Sequence, residues 1–482
     1  MSGPQNNKGK YLSRRNFVTG AAAGLAGGLA LASAPKWLFR DKNYPPWISE
    51  FFVDSLWLES AGVYGQQPNP PLKENIKADI AIIGGGFTGL SSAYHLIRKF
   101  PRKKIVLIES AVCGYGASGR NGGMAVPFNP IVYSIAEKQG PEAARKFKDQ
   151  NSEGLTIIKN YIEEHKINCD FEETGIVILS INNKDMEYLG SWNDSAKNIG
   201  INSNILDRAA IRKEIRSDRY AGGLNIKHGA ILNPAKLARG MKAIVESLGV
   251  SVFERTKVTS VEPGSTVRIS TEFGEVQSPA IVLATNGYSA KLGFFKNRFI
   301  PLCNYVIATE PLTPKQLESI GWSGRQALWD TRVEFDYFRL SADNRIVIGG
   351  ELAPYFYGGK LSSGNYKPSL KMLEESLFAI FPQLAGTKIT HLWGGTMAFT
   401  FDMLPSIGVT GPNKNVYYGL GYSGEGVVLT QLAGKIISQL YAGENTDLTS
   451  FLFVNRKMPF VPPEPVRYPS ISMYKKVLNL TE

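Results

Sequence analysis

Two hydrophobic periods alternate along this chain. Short runs rich in β-branched residues, the pattern of strands buried on both faces, fall at Ala78–Ile83, Lys104–Ile108, Ile281–Ala284 and Val416–Leu420. The first is followed by apolar positions at Leu90, Ala93, Tyr94 and Ile97, spaced for one helix face, and the last by a helical pattern reaching about Leu440. Further strands are expected at Gly175–Ser180, Tyr305–Thr309 and Arg345–Gly350. At the amino end a polar stretch, 1–12, precedes a weakly apolar, Ala/Gly-rich run from Thr19 to Ala34. Residues 35–77 carry Trp37, Pro45, Pro46, Trp47, Trp57, Pro68, Pro70 and Pro71, and read as an extended, surface-wrapping connector. The tail, 446–482, reads as an extended strap closed by a short basic helix, Met473–Leu480, which would either pack on the body or touch a membrane.

The turn after the first strand carries the chemistry. Gly84, Gly86 and Gly89 fit G-x-G-x-x-G between strand and helix, and the second strand ends at Glu109, 20 residues beyond Gly89. Gly84 permits the tight turn, Gly86 lets a pyrophosphate approach the backbone, and Gly89 lets helix pack on strand. With Phe87 and Thr88, they open a helix whose free N–H groups and positive dipole end suit phosphate. Glu109 is placed to accept hydrogen bonds from an adenosine ribose. This unit binds a dinucleotide, and by itself leaves FAD and NAD equally open.

Three later segments narrow the choice. Five glycines lie within Gly114–Gly123, a loop containing Ala117, Ser118, Arg120, Asn121, Gly122 and Gly123. Ala284-Thr285-Asn286-Gly287-Tyr288 ends a buried strand, and Gly421-Tyr422-Ser423-Gly424-Glu425-Gly426-Val427 opens the last long helix. In this order, from about Trp57 to Arg467, they resemble the D-amino acid oxidase/glycine oxidase flavoproteins, most of all their gamma-glutamylputrescine oxidase branch. The resemblance implies an α/β plus α+β fold. A discontinuous Rossmann-like FAD-binding domain (78–125, 206–297 and 391–445) would carry a mixed-sheet substrate domain (126–205 and 298–390). Residues 117–123 would lie along the flavin and pyrophosphate, the Val258 backbone by the adenine, Ala284, Thr285 and Asn286 by the pyrophosphate and ribityl chain. Gly421, Ser423, Gly424 and Gly426 would face the flavin N1/C2 edge, where a helix N-terminus stabilises negative charge. Many relatives have His where this chain has Glu425. Flavin-linking Cys or His is missing from 117–123 and 394–400, so noncovalent FAD is expected.

The implied reaction is flavin-dependent oxidation of a C–N bond in an amine or amino acid derivative, with transfer of a hydride equivalent and hydrolysis of the resulting imine. Candidate substrate-side residues are Arg339, whose guanidinium either grips a carboxylate or pairs within the core, Tyr337 as a pocket wall, Trp393 as a roof or a packed core residue, and Tyr422 beside the flavin turn. Oxygen or a quinone would accept the electrons. A flavoprotein that helps mature a secreted partner is the non-enzymatic reading.

Composition and charge add less. With 43% hydrophobic and 20% charged residues the chain is ordinary globular material. A net charge of +12 admits an anionic membrane surface, but no basic block interleaved with aromatics supports nucleic acid. His95, His165, His228 and His391 are not spaced as a metal set, and Cys113, Cys169 and Cys303 form no CxxC pair, so no metal is expected. Ser13-Arg14-Arg15-Asn16-Phe17, ahead of the Thr19–Ala34 run, resembles a twin-arginine export signal within 1–34. Periplasmic or other extracytoplasmic placement follows, with 17–34 as leader or anchor; an unused leader would leave the protein cytoplasmic. A protein that loads a large cofactor before export must cross the membrane folded.

Overall fold

The computed structural model describes residues 53–127, 131–332, 334–350, 354–360 and 366–473. The export motif, the run to Ala34 and the expected Met473–Leu480 helix beyond its first residue lie outside them. No helix among the described residues is long and apolar enough to cross a membrane.

Two sheets organise the chain. The first contains β1 (Ile80–Ile83), β2 (Ile105–Ile108), β6 (Ser251–Phe253), β7 (Ala280–Leu283), β13 (Ser406–Thr410) and β14 (Val416–Leu420), in spatial order β13-β14-β7-β1-β2-β6. Its neighbours are parallel except for β13, which runs against β14. Every residue of β1, β2 and β7 is buried, which explains their unbroken apolar runs. A smaller sheet of Ile76–Lys77, Val258–Glu262, Val267–Thr271 and Glu275–Ser278 flanks it.

The second sheet contains β3 (Ile176–Ser180), β4 (Ser203–Asp207), β5 (Gly222–Ile226), β8 (Ile300–Thr309), β9 (Ala327–Asp330), β10 (Asp336–Leu340), β11 (Ile346–Gly350) and β12 (Ile389–Phe399). The order is β12-β8-β11-β10-β9-β3-β5-β4, all antiparallel neighbours except β9 and β3. This is the mixed sheet expected.

Four boundaries differ from the sequence reading. Strand β5, assigned through 206–297 to the dinucleotide unit, belongs to the second sheet, as do the last two residues of β4. The Gly222-Gly223 start of β5 hides the strand pattern, yet a Cβ on Gly223 would lie 2.7 Å from the Ile178 carbonyl oxygen, so glycine suits that pairing. Strand β12 straddles 391 and edges the second sheet along β8, not the first. Within 126–205, helix α3 (Pro141–His165) packs on the last long helix, α4 (Gly426–Tyr441), of the dinucleotide unit. The described part of the connector is not a surface wrap: helix α1 (Leu56–Ser60) buries Leu56, Trp57 and Leu58 against the second sheet and the 112–121 loop. The tail is a strap as expected. Its Val454 bridges to Ile407 and the Val461 amide donates to the Asn297 carbonyl, but helix is already present at 467–473.

Close packing of α3 on α4 depends on Gly154, where a Cβ would lie 2.4 Å from the Val428 carbonyl oxygen. Gly154→Ala is expected to lower stability by about 1–3 kcal/mol, read as a drop in Tm of the flavin-loaded protein. Gly190→Ala, in a helix with nothing within 4 Å, should be neutral or slightly stabilising.

Candidate functional site

The site begins where β1 and β14 end. Each runs through a glycine turn into a helix, α2 (Phe87–Lys99) after β1 and α4 after β14. Thr88 Oγ1 lies 2.9 Å from Tyr422 Oη, and Ser91 Oγ donates to the Gln431 carbonyl at 2.8 Å. The paired positions advance together, so the helices run side by side with adjacent N-termini. Neither N-cap residue, Gly86 or Glu425, caps its helix with its own side chain; of the first amides of α2, that of Phe87 is taken by Ser118 Oγ. Two positive dipole ends therefore open at one edge of the sheet.

The glycines do what the spacing predicts. A Cβ on Gly89 would sit 1.9 Å from the Gly84 carbonyl oxygen, and one on Gly84 2.5 Å from the Ala284 carbonyl oxygen. These contacts bring Ala284, Thr285 and Asn286 beside the first turn. Gly86 faces only the Ser118 side chain, while Gly116 and Gly424 have open space where a Cβ would point. Asn286, at a φ of 40°, leaves its buried Oδ1 without a hydrogen bond. Glu109 accepts the Gly85 amide at Oε2 and the Ala111 amide at Oε1, each at 2.8 Å. Burial pushes its carboxyl up, against the pull of those amides and the Ser110 hydroxyl. Oε1 also accepts the Ser110 hydroxyl at 3.1 Å, so Oε2 is the oxygen that keeps a second lone pair for a ribose hydroxyl. The Thr256 amide donates to the Glu109 carbonyl, which sets Val258 next to that strand end.

Loop 117–123 holds itself in shape. Asn121 Nδ2 donates to the carbonyls of Ala117 and Ser118 at 3.0 Å, and Asn121 Oδ1 accepts the Gly123 amide at 2.7 Å. Ser118 Oγ accepts the Phe87 amide at 2.8 Å, joining the loop to the start of α2. Arg120 is buried: it donates to the Gly394 carbonyl at 2.9 Å and stacks over Tyr115. Asn121 thus shapes the cradle with a side chain that is already engaged, while Arg120 braces the loop through Nε and Nη1 and leaves its buried Nη2 without a hydrogen bond. Ser423, at a φ of 50°, accepts the Thr400 amide and donates to the Gly421 carbonyl. Glu425 stands just before α4 without capping it. An open backbone cradle, two uncapped helix ends, an orphaned amide oxygen and a carboxylate at the second strand end together suit FAD.

Above the loop stands the second sheet. The Tyr337 ring lies where a Gly122 Cβ would be 2.7 Å away, and its hydroxyl donates to Asn304 Oδ1 at 2.6 Å. Tyr337 is half-buried, as a pocket wall would be. Arg339 is 2% exposed and donates from Nη2 to the Leu232 carbonyl at 2.9 Å, close against Gly123. Its Nε has no hydrogen bond, and burial pulls the guanidinium down to about 9.

The other two substrate candidates fall elsewhere. Trp393 has no exposed surface and donates from Nε1 to the Arg120 carbonyl at 2.8 Å, so it anchors the loop and roofs no open space. Tyr422 is buried and turned back onto Thr88, with burial pushing its phenol up. Among the histidines, His391 is bonded to Glu59 at 2.9 Å and to Thr390, which pins α1 to β12. Ligand atoms of Asp54, Glu59 and His391 lie within 4.8 Å of one another, a convergence invisible in the spacing. All three cysteines are buried and free.

Sequence reasoning missed three residues. Trp57 donates from Nε1 to the Asn121 carbonyl at 2.8 Å, meets Trp393 edge to face, and lies under Arg339 with the guanidinium 4.7 Å from its ring centre. Asn304 orients Tyr337. Glu254, fully buried, accepts the amides of Cys113 and Asn69 and pairs with Arg239. Burial alone would push Glu254 up, but Arg239, those amides and Lys242 hold it below the usual carboxylate range. Only the apolar-aromatic content around Trp57 hinted at any of them.

Comparison with known proteins agrees with this geometry. The family described as DAO, FAD dependent oxidoreductase, matches residues 79–440. The chain is 33% identical over 401 residues to probable oxidoreductase OrdL of Haemophilus influenzae, covering 81% of this chain and 89% of that protein. It is 32% identical over 406 residues to gamma-glutamylputrescine oxidoreductase of Escherichia coli K12, covering 83% and 91%. The crystal structure of glycine oxidase from Geobacillus kaustophilus superposes with a TM-score of 0.66 at 19% identity, covering 79% of this chain and 99% of that one.

Gly86→Val places a branched side chain against Ser118 and into the phosphate approach. The purified variant is expected to be colourless, measured as the flavin-to-protein absorbance ratio. A variant that keeps its FAD would show that the pyrophosphate lies elsewhere.

Proposed function

Because this chain belongs to the DAO family of FAD-dependent oxidoreductases, we propose that it oxidises a C–N bond in an amine or amino acid derivative that also carries a carboxylate, of the gamma-glutamylputrescine type. Arg339 carries this reading. It is a buried cation without a carboxylate at ion-pair distance among the described residues, set beside Gly123 of the cofactor loop. An uncompensated buried charge is costly unless a ligand supplies the counter-charge.

FAD, held noncovalently by residues 84–89, Glu109, 117–123, Val258, 284–286 and 421–426, supplies the oxidant that takes a hydride equivalent from the substrate carbon. The protein's own work is placement. Arg339 grips the substrate carboxylate through its free N–H groups. Tyr337, fixed by Asn304, walls the amine and excludes water from the reacting carbon. The two uncapped helix ends favour negative charge on the bound cofactor. The substrate amine reacts in its neutral form, and water hydrolyses the imine to aldehyde or keto product.

The motif Ser13-Arg14-Arg15-Asn16-Phe17 supports a second element: export of the folded, FAD-loaded protein by the twin-arginine machinery to the periplasm, with the apolar run as leader or membrane anchor. On that reading a membrane quinone, and not oxygen, receives the electrons. Paired Arg14→Lys and Arg15→Lys should trap the protein in the cytoplasm, and peroxide formation in air should be slow beside reduction of a soluble quinone.

An anaerobic screen of amines and amino acids for bleaching of the flavin band tests the chemistry. Once a carboxylate-bearing substrate is found, Arg339→Gln is expected to raise its KM roughly 10–100-fold, the loss of a charge-assisted bond, and to leave a carboxylate-free amine unchanged. Equal effects on both would remove Arg339 from substrate binding.

A further inference from the structure

We propose that Trp57, which lies ahead of the dinucleotide fold, is a positioning residue that holds Arg339 as a charged, oriented carboxylate grip and sets its distance from the cofactor loop. The inference rests on the reading that Arg339 receives the substrate carboxylate.

Three contacts of one ring carry it. The Arg339 guanidinium stacks 4.7 Å from the Trp57 ring centre. Trp57 Nε1 donates to the Asn121 carbonyl at 2.8 Å, inside the loop that cradles the cofactor. Its edge meets Trp393, whose own Nε1 donates to the neighbouring Arg120 carbonyl. The ring is 2% exposed and rigidly framed. It is therefore a plate with the substrate-side cation on its face and the cofactor loop on its edge. A shift of the plate moves both.

The chemistry of the partner matters as much as the place. A buried guanidinium needs stabilisation, and a carboxylate partner would give it while cancelling the charge that a substrate must find. An aromatic face stabilises the cation and leaves its charge uncancelled. The charged groups that influence Arg339 are already engaged with one another. Glu172 is bonded to Arg325, and Asp170 is paired with Lys236. On the same strand, Tyr337 donates to neutral Asn304. Trp57, with the Leu232 carbonyl that accepts from Nη2, thus favours the charged form by direct contact without neutralising it, and Trp57 alone of the two also holds the cofactor loop.

The sign of the pH effect follows. Arg339 binds carboxylate only while protonated, and burial already brings its guanidinium down to about 9. Removing the aromatic face lowers it further. Carboxylate affinity should then fail at a lower pH in the variant than in the parent.

The test uses the full-length, FAD-loaded protein and acetate as the probe, with chloride as the ionic-strength control, followed by the flavin difference spectrum across alkaline pH. Trp57→Leu should weaken acetate about 10-fold, as expected for loss of a desolvated cation–π contact, and move the alkaline limb of binding to lower pH. Trp57→Phe keeps a weaker face and most of the packing, so it should fall between; it decides the matter if Trp57→Leu does not hold FAD. A Phe variant with the parent's acetate affinity and alkaline limb overturns the proposal, provided Arg339→Gln abolishes binding. Unchanged acetate binding in Arg339→Gln, or none in the parent, would sink the carboxylate reading itself.

Discussion

The structure depends on two helices being able to start at the same place. Helices α2 and α4 leave adjacent turns, run side by side, and present uncapped N-termini to one site. Bringing two positive ends together is unfavourable, and the fold accepts it because backbone packs on backbone. Gly84 and Gly89 lack the Cβ atoms that would strike backbone carbonyls in the first turn, and Gly434 lacks one midway along α4, where a Cβ would be 2.3 Å from Ser91 Oγ. The Thr88–Tyr422 contact joins the two starts. What remains is a concentrated demand for negative charge, which an FAD pyrophosphate and a reduced flavin both meet.

The loop after Glu109 translates that demand into a shaped site. It is internally bonded through Asn121, tied to α2 through Ser118, and clamped from above by two indole N–H groups on consecutive carbonyls, Trp393 on Arg120 and Trp57 on Asn121. Glu254 fixes the approach to the loop by collecting the Cys113 and Asn69 amides. Arg120 and Asn121, read from the sequence as ligands, also brace the loop, and the backbone they brace is a surface open to the cofactor.

How much of this was legible depended on the range of the interaction. Contacts set by local backbone geometry were readable: the glycine turn, the acidic end of β2, the turn before α4 and the buried parallel strands all lie where the pattern put them. Contacts that join distant segments were not. Strand β5 escaped because Gly222 and Gly223 pair through backbone alone, with no apolar alternation to betray them. Trp393 and Tyr422 read as pocket residues because aromatics near a turn are ambiguous until their N–H and O–H partners are known, here 273 and 334 residues away in sequence. Helix α1 was lost in a proline-rich stretch whose composition resembles a linker, although its apolar face is inserted between the second sheet and the cofactor loop.

That insertion ties the site to the segment ahead of the dinucleotide fold. With Trp57 in contact with both the cofactor loop and Arg339, the segment from Val53 onward is part of the folded body, not a tether that trails from it. One indole thus couples a strand of the second sheet to the loop that follows β2: the guanidinium of Arg339 lies on its face, and the Asn121 carbonyl is held at its edge. Because Trp393 braces the same loop from the second sheet and meets Trp57 edge to face, a displacement of α1 would be felt by the loop and by Arg339 together.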